Sequence, residues 1–427
     1  MLIRFKRKTQ AEWLTLFVLF MPFSFFFLID MVRVPSIIKY VVDFAWLCLI
    51  LMIILNRRNG HSRQTKIFSA TVGVFFLLSV FGMALNYQSI LYYLWGLRIN
   101  IRFYVFFFAC IFFLKESNVE NYLDFFDKIF WINIPVVMIQ YLLMGKVQDH
   151  LGGIFGVEKG CNAYTNIFMI IVVTRSILRY MNHQEPIKRC LLKCVVALGI
   201  AILSELKVFF VELLVVVSLA VLISRFTFRK LWIVLAIAVG TIVAVELLSI
   251  LFPYFDGWFS LDGIWKIISS SSGYTSSNDM NRISAIPIAW NRFLNTWPKR
   301  LLGLGLGNCE HSTFSFLTTP FYHRYRQLHY MWFSSAMLFL EMGLTGLAVY
   351  ILFFVQVFVC ARRVEKNGMS DRVNCQLAQI IAIIAIVQVF YNSSLRMEAG
   401  FMVYFVLALP FVSNRSVQVV RNIGLRN

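Results

Sequence analysis

The residues able to do chemistry are concentrated in one block. Residues 278–346 hold Arg282, Trp290, Trp297, His311, His323, His329 and Glu341 around a glycine-rich run, Gly303-Leu304-Gly305-Leu306-Gly307-Asn308. The block is too long and too polar for a simple connector, and its aromatics argue against disorder. A second set of charges lies inside apolar runs: Asp43, Arg98, Arg102, Lys207, Glu212 and Glu246. Arg98 and Arg102 are four residues apart and share one helical face. Charges inside membrane spans are costly and mark function by default. On the span assignment below, all six fall in the outer half of the bilayer, as expected of a centre that works on lipid-borne material at the outer leaflet. The plainer reading lets Lys207 snorkel to the headgroups and leaves Glu212 and Glu246 as paired acids. A proton or ion pathway would instead need charges near the middle of the bilayer and on both sides of it.

The elements that must position these residues are apolar helices. Of 427 residues, 59% are hydrophobic and 14% charged, and the mean hydropathy is +0.73. A water-soluble domain cannot hide that much apolar surface, so the composition implies an all-α polytopic membrane protein. Apolar runs of span length recur from Trp13 to Val412, without the alternation of a β-barrel. They predict about twelve transmembrane helices with both termini cytoplasmic: 13–29, 37–55, 67–85, 97–114, 129–144, 162–177, a seventh ending near 204, an eighth from 207, 231–252, a tenth ending at 360, 376–391 and 401–412. The aromatic segment 86–96 is expected at the interface, and a short helix over 329–342 before the tenth span, with a break at Gly343 or Gly346. Three parts follow: helices one to nine over 1–252, a large external loop with short helices over 253–342, and helices ten to twelve with a tail over 343–427. The serine-rich run 269–277 is the expected mobile part of the loop. No internal repeat is visible.

Several classes are excluded or disfavoured. The net charge of +19 could suggest nucleic acid, but Lys and Arg gather in alternate loops as the positive-inside rule requires, roughly 25 of them on the cytoplasmic side. The basic N-terminus reads as the flank of an uncleaved first span, since no small-residue cleavage site follows. Among the eight cysteines, Cys190 and Cys194 lie a turn apart with no further ligand nearby, which is not zinc spacing. Only Cys161 and Cys309 are assigned to the external side, where two thiols pair if their Cα atoms come within disulfide range. No acid cluster fits Mg²⁺ or Mn²⁺, so no metal and no cofactor is expected.

In this setting the block resembles the bacterial O-antigen polymerase/O-antigen ligase superfamily, membrane glycosyltransferases of the GT-C type. The resemblance rests on Arg282, Trp290, the Gly303-to-Asn308 turn, His329 before a helix, and Glu341-Met342-Gly343-Leu344-Thr345-Gly346, in that order and in one large loop. Two weaker echoes are Gly152-Gly153-Ile154-Phe155-Gly156 with Asn162 and Asn166, and the turn Leu203-Ser204-Glu205-Leu206-Lys207. Ligases commonly have Asn after the His and Arg in the short turn. Tyr330 and Lys207 stand there in this chain, departures that suit the more divergent polymerases.

The resemblance implies a location, the bacterial inner membrane, and a substrate, an oligosaccharide on undecaprenyl diphosphate at the periplasmic face. The growing glycan passes to a sugar hydroxyl of the next repeat unit, and undecaprenyl diphosphate leaves. Fixed cations should surround the diphosphate as its charge grows, with Arg as a fork of donors and Lys as a point charge. Arg282, Lys207 and Arg98 are candidates for that role, and His329 for the base, because imidazole titrates near neutral pH. Arg102, Glu212, Glu246, Trp290, Gly305, Asn308 and Glu341 complete the expected substrate-binding set, and a chain-length regulator is a candidate partner. The plain alternatives stay open: Arg282 pairing with Asp279, His329 as a cap, the glycine turn serving close packing rather than phosphate binding, and Trp290 as packing. A ligase-type transferase and a lipid-linked oligosaccharide flippase remain as competing functions.

Overall fold

The structure is a computed structural model that describes residues 9–55, 62–223, 228–251 and 279–412. Asn278, the serine-rich run, Arg57, Arg58 and both termini lie outside the described residues. What is described is helical, with no strand among the described residues. The long helices are α1 (Gln10–Phe20), α2 (Val41–Leu55), α3 (Arg63–Leu85), α4 (Ile90–Phe113), α5 (Glu116–Leu142), α6 (Asn162–Met181), α7 (Ile187–Leu203), α8 (Lys207–Ile223) and α9 (Phe228–Leu251). Two short helices, α10 (Trp297–Leu302) and α11 (Pro320–Tyr325), precede α12 (Ser334–Lys366), α13 (Arg372–Tyr391) and α14 (Gly400–Val412). Among the described residues five stretches are long and apolar enough to cross a membrane: Ser36–Leu55, Arg63–Leu85, Ile90–Phe113, Ser334–Lys366 and Arg372–Tyr391.

The centre of the bundle is α14. Every one of its residues is buried, so this helix is apolar all round because it is enclosed all round. It packs against α4 and α13, and α12 packs against α13 and α3. α6 is buried almost as completely and touches α7, α8 and α13. Tyr104, Phe353 and Tyr404 meet at ring distances of 4.9 to 5.7 Å and tie α4, α12 and α14 together. Such pairs stabilise by about 0.5–1.5 kcal/mol beyond the area they bury.

Boundaries differ from expectation where polar contacts decide them. α5 begins at Glu116, well before the apolar run at 129, because its polar first turns have a partner. Asn118 and Tyr122 donate to the buried Glu12 of α1 at 2.8 and 2.6 Å. Residues 90–96 are helical, so α4 begins at Ile90 rather than near 97. Gly96 does not break that helix; a Cβ there would lie 2.4 Å from the Cα of Gly307, so it is a point of backbone contact. The expected short helix over 329–342 starts late, after a single 3-10 turn at Tyr330–Trp332. The break before the next helix does fall at Gly343, whose φ of 63° interrupts α12.

The glycine-rich turn is a joint. Gly303, Gly305 and Gly307 all have positive φ. The amides of Leu304 and Gly305 donate to the carbonyls of Leu340 and Glu341 at 2.8 and 3.0 Å, just before the break in α12. On the other side, a Cβ on Gly307 would stand 2.0 Å from the Tyr92 carbonyl oxygen. Gly307→Ala therefore has to strain both backbone and contact, a loss on the order of 1–3 kcal/mol. Gly199, with nothing within 4 Å of its Cβ position, is the control. Thermal unfolding in detergent should show Gly307→Ala melting several degrees below Gly199→Ala; equal melting would contradict the packing role.

Candidate functional site

A cavity of 650 Å³ opens at one end of the bundle. Its walls include the loop between α5 and α6 (Asp149, Lys159), the start of α6 (Asn162, Asn166), the turn into α8 (Glu205, Lys207), both ends of the 279–333 segment (Arg282, Trp332) and the α13–α14 loop (Asn392, Ser393, Met397). The size suits part of a large ligand. Among the described residues the lining has three cations, Lys159, Lys207 and Arg282, and two acids, Asp149 and Glu205. Lys207 and Arg282, which are 75 residues apart in sequence, are near enough to repel each other.

Arg282 is held by the end of α13. Its Nε donates to the Tyr391 carbonyl at 3.0 Å, and its guanidinium lies 3.9 Å from the centre of the Tyr391 ring. Arg282 is also one of the residues that line the cavity. His329 does not line the cavity itself but packs against a residue that does. It takes a left-handed conformation (φ 54°) between two 3-10 turns and stacks its ring on Trp332 at 4.1 Å and 18°. Trp332 lines the cavity, and Lys159 lies 6.0 Å from the Trp332 ring. The Met280 amide donates to the Leu328 carbonyl at 2.9 Å, so the Arg282 and His329 strands of the segment are tied together.

Glu212 lies beneath the cavity and is fully buried. Asn166, a lining residue, donates its amide to one Glu212 oxygen at 2.8 Å, and Gln388 donates to the other. Ser394 donates to the Gln388 side-chain carbonyl at 3.2 Å. The Asn166 NH₂ is thus committed to the carboxylate, which leaves its carbonyl oxygen as the remaining acceptor. That oxygen is buried and makes no hydrogen bond among the described residues.

The other expected residues lie elsewhere. Arg98 and Arg102 do not line this cavity. Arg98 pairs with Asp43 at 2.5 Å and stacks on Trp95 and Tyr40. Arg102 pairs with Glu398 at 3.1 Å, approaches Asp43 at 3.8 Å and donates to the Arg396 carbonyl at 2.9 Å. Their charges hold α2, α4 and the α13–α14 loop together. Glu246 is on the exposed side of α9. Trp290 is packed, stacked on Phe339 at 6.1 Å with Arg300 over its ring at 4.6 Å. Gly305 and Asn308 belong to the joint, and Asn308 donates to the Leu304 carbonyl at 2.9 Å. Glu341 accepts from the Cys309 amide at 3.0 Å underneath that joint.

Behind the cavity runs a buried ionic chain that the sequence did not announce. Arg396, in the α13–α14 loop, pairs with Glu310 and interacts with Glu341. Glu398 accepts from Arg102 and from the Tyr164 hydroxyl at 2.6 Å. Burial works against the Glu398 charge, but Arg102 and the Tyr164 hydroxyl outweigh it and hold the carboxyl down at about 2. Cys161 and Cys309 are both free, buried thiols. Burial pushes Cys161 up to about 12 and raises Cys309 as well, so neither has the thiolate character that oxidation needs. No group of three His, Cys, Asp or Glu able to hold a metal occurs among the described residues.

No family model matches the chain, and no curated protein matches it.

Two outcomes test the ionic chain. Arg396→Gln leaves Glu310 and Glu341 buried without their cation, a destabilisation of about 3–5 kcal/mol, seen as loss of folded protein on size exclusion in detergent. For Glu398 the folded value of about 2 lies below the ordinary 4.5. Its contribution is therefore full above the ordinary value and is lost as pH falls through that window. Melting temperature should drop across this range in the parent chain and drop less in Glu398→Gln; parallel curves would contradict the assignment.

Proposed function

We propose that this chain is a polysaccharide polymerase of the O-antigen type, working on undecaprenyl-diphosphate-linked repeat units at the periplasmic face of the bacterial inner membrane. The observation that carries the reading is the convergence of Lys207, Arg282 and Trp332 on one cavity, with His329 stacked on the Trp332 ring. In this reading the twelve long helices span the membrane, the termini are cytoplasmic, and the segment before α12 is the periplasmic loop. Lys207 and Arg282 hold the diphosphate of the donor, joined by Lys159. Their positive charge stabilises the leaving undecaprenyl diphosphate as the glycosidic C–O bond breaks. His329 takes the proton from the acceptor hydroxyl as the new C–O bond forms. The Asn166 carbonyl accepts from a sugar hydroxyl. Arg98 and Arg102, neutralised by Asp43 and Glu398, act as struts and leave the diphosphate to the cavity cations.

Deleting the gene in a producing strain separates the possible functions by glycan electrophoresis. Surface glycan with a single repeat unit supports polymerase. Unattached long polymer would indicate a ligase, and absence of any exported repeat a flippase. In the complemented strain Lys207→Ala and Arg282→Ala should each abolish the polymer ladder while membrane protein level is unchanged. Arg98→Ala should lower protein level instead. A normal ladder from Arg282→Ala would remove it from the site.

A further inference from the structure

A second cavity, of 380 Å³, lies between the α3–α4 turn and the 279–333 segment. Tyr87 and Tyr92 come from the turn side, and Phe321, Arg324 and Tyr325 from α11, with Asn308 at the glycine joint. The mixture is aromatic rings, amides and one guanidinium. Two features of the turn are not explained by folding.

The first is the backbone of Tyr87. α3 ends in a Schellman turn: the Gln88 amide donates to the Met83 carbonyl at 3.1 Å and the Tyr87 amide to the Ala84 carbonyl at 3.3 Å. Tyr87 occupies the left-handed position of that turn, with φ 47°, where glycine is the residue of least strain. A bulky residue there is an outlier of the kind that marks functional sites. The second is exposure. Tyr87 is 97% exposed, so no burial of its ring offsets the strain.

The amides of the same turn are fixed. Asn86 donates to the Gly303 carbonyl at 3.1 Å and Gln88 to the Leu306 carbonyl at 2.7 Å, which docks the turn on the glycine joint. Asn308 donates to Leu304. With their NH₂ groups committed to backbone, Asn86 and Asn308 have carbonyl oxygens to offer as acceptors. Arg324 adds donors, and its guanidinium stands 5.5 Å from the Tyr325 ring. Flat rings beside fixed acceptors and a donor fork suit a sugar, which has an apolar C–H face and a rim of hydroxyls.

We infer that this second cavity holds saccharide units of the polymer while the first cavity reacts. The inference rests on the polymerase reading above and adds a grip on the product. The 279–333 segment contributes to both cavities, Arg282, Trp332 and Phe333 to the first and Asn308, Phe321, Arg324 and Tyr325 to the second. Holding the product between additions raises the number of units added before release.

The test uses the full-length chain in a producing strain, with polysaccharide length read by gel electrophoresis. Tyr87→Gly relieves the backbone strain and so cannot act by unfolding the turn. Losing one aromatic contact should speed polymer release about fivefold, and the modal chain length should fall by a similar factor. Tyr87→Phe should keep parental length. Deleting the gene in the same strain reports on the polymerase reading itself. If deletion leaves surface glycan of a single repeat unit and Tyr87→Gly leaves the ladder length unchanged, the grip is overturned and the polymerase reading stands. If deletion leaves a normal ladder, the polymerase reading falls and takes this inference with it. Loss of all polymer in Tyr87→Gly at normal protein level would put Tyr87 in the reaction and overturn the holding role.

Discussion

A buried guanidinium must be neutralised, and Arg396 sets that requirement at the heart of this fold. It lies in the loop that joins α13 to α14, the fully enclosed central helix. Its counter-charges are Glu310 of the 279–333 segment and Glu341 of α12, and its carbonyl receives Arg102 from α4. Arg102 reaches Glu398 and Asp43, and Asp43 reaches Arg98. One chain of charge thus joins α2, α4, the α13–α14 loop and the start of α12. Removing one member of such a chain strands the others in low dielectric. The cavity rim hangs from this frame, because Ser393 and Met397 flank Arg396 in the same loop.

The frame explains how an irregular segment keeps a definite shape beside apolar helices. The glycine joint contacts α4 at Gly96 and meets the carbonyls of α12 just before Gly343. Glu341 lies below it, accepting the Cys309 amide, and the Tyr330 hydroxyl donates to the Cys309 carbonyl at 2.7 Å. Backbone groups that water would otherwise have to satisfy are met by protein. Arg282 and His329 stand on the other edge of the same segment, each against an aromatic ring. The arrangement brings the cations Lys159, Lys207 and Arg282 to one cavity together with the acids Asp149 and Glu205.

Much of the helical frame was legible in the apolar runs, since length and hydropathy report the same physical demand. α5 shows the limit. Its first turns are polar, and they become helix because Glu12 of a distant helix needs donors. The charges show a different limit. The spacing of Arg98 and Arg102 correctly put them on one face, but not which acids they meet, and Asp43 and Glu398 decide their role. The glycine pattern was visible as a turn; its backbone amides turn out to serve α12. Lys207 and Arg282 were each suspect from type and position, while their shared cavity depends on tertiary packing. Lys159 and Trp332 carried no local signal beyond being a basic and an aromatic residue near other motifs. Tyr87 left one faint trace, a tyrosine where the end of a helix would favour glycine.

The central claim is chemical, and purified components test it most directly. The chain alone, reconstituted in proteoliposomes, would be given lipid-linked repeat units with their diphosphate exposed on the side of Lys207 and Arg282. The account requires glycans longer than one repeat unit and release of one undecaprenyl diphosphate for each unit added. Glycan that stays at one repeat unit, with no diphosphate released by protein that is folded and bound to substrate, would contradict it.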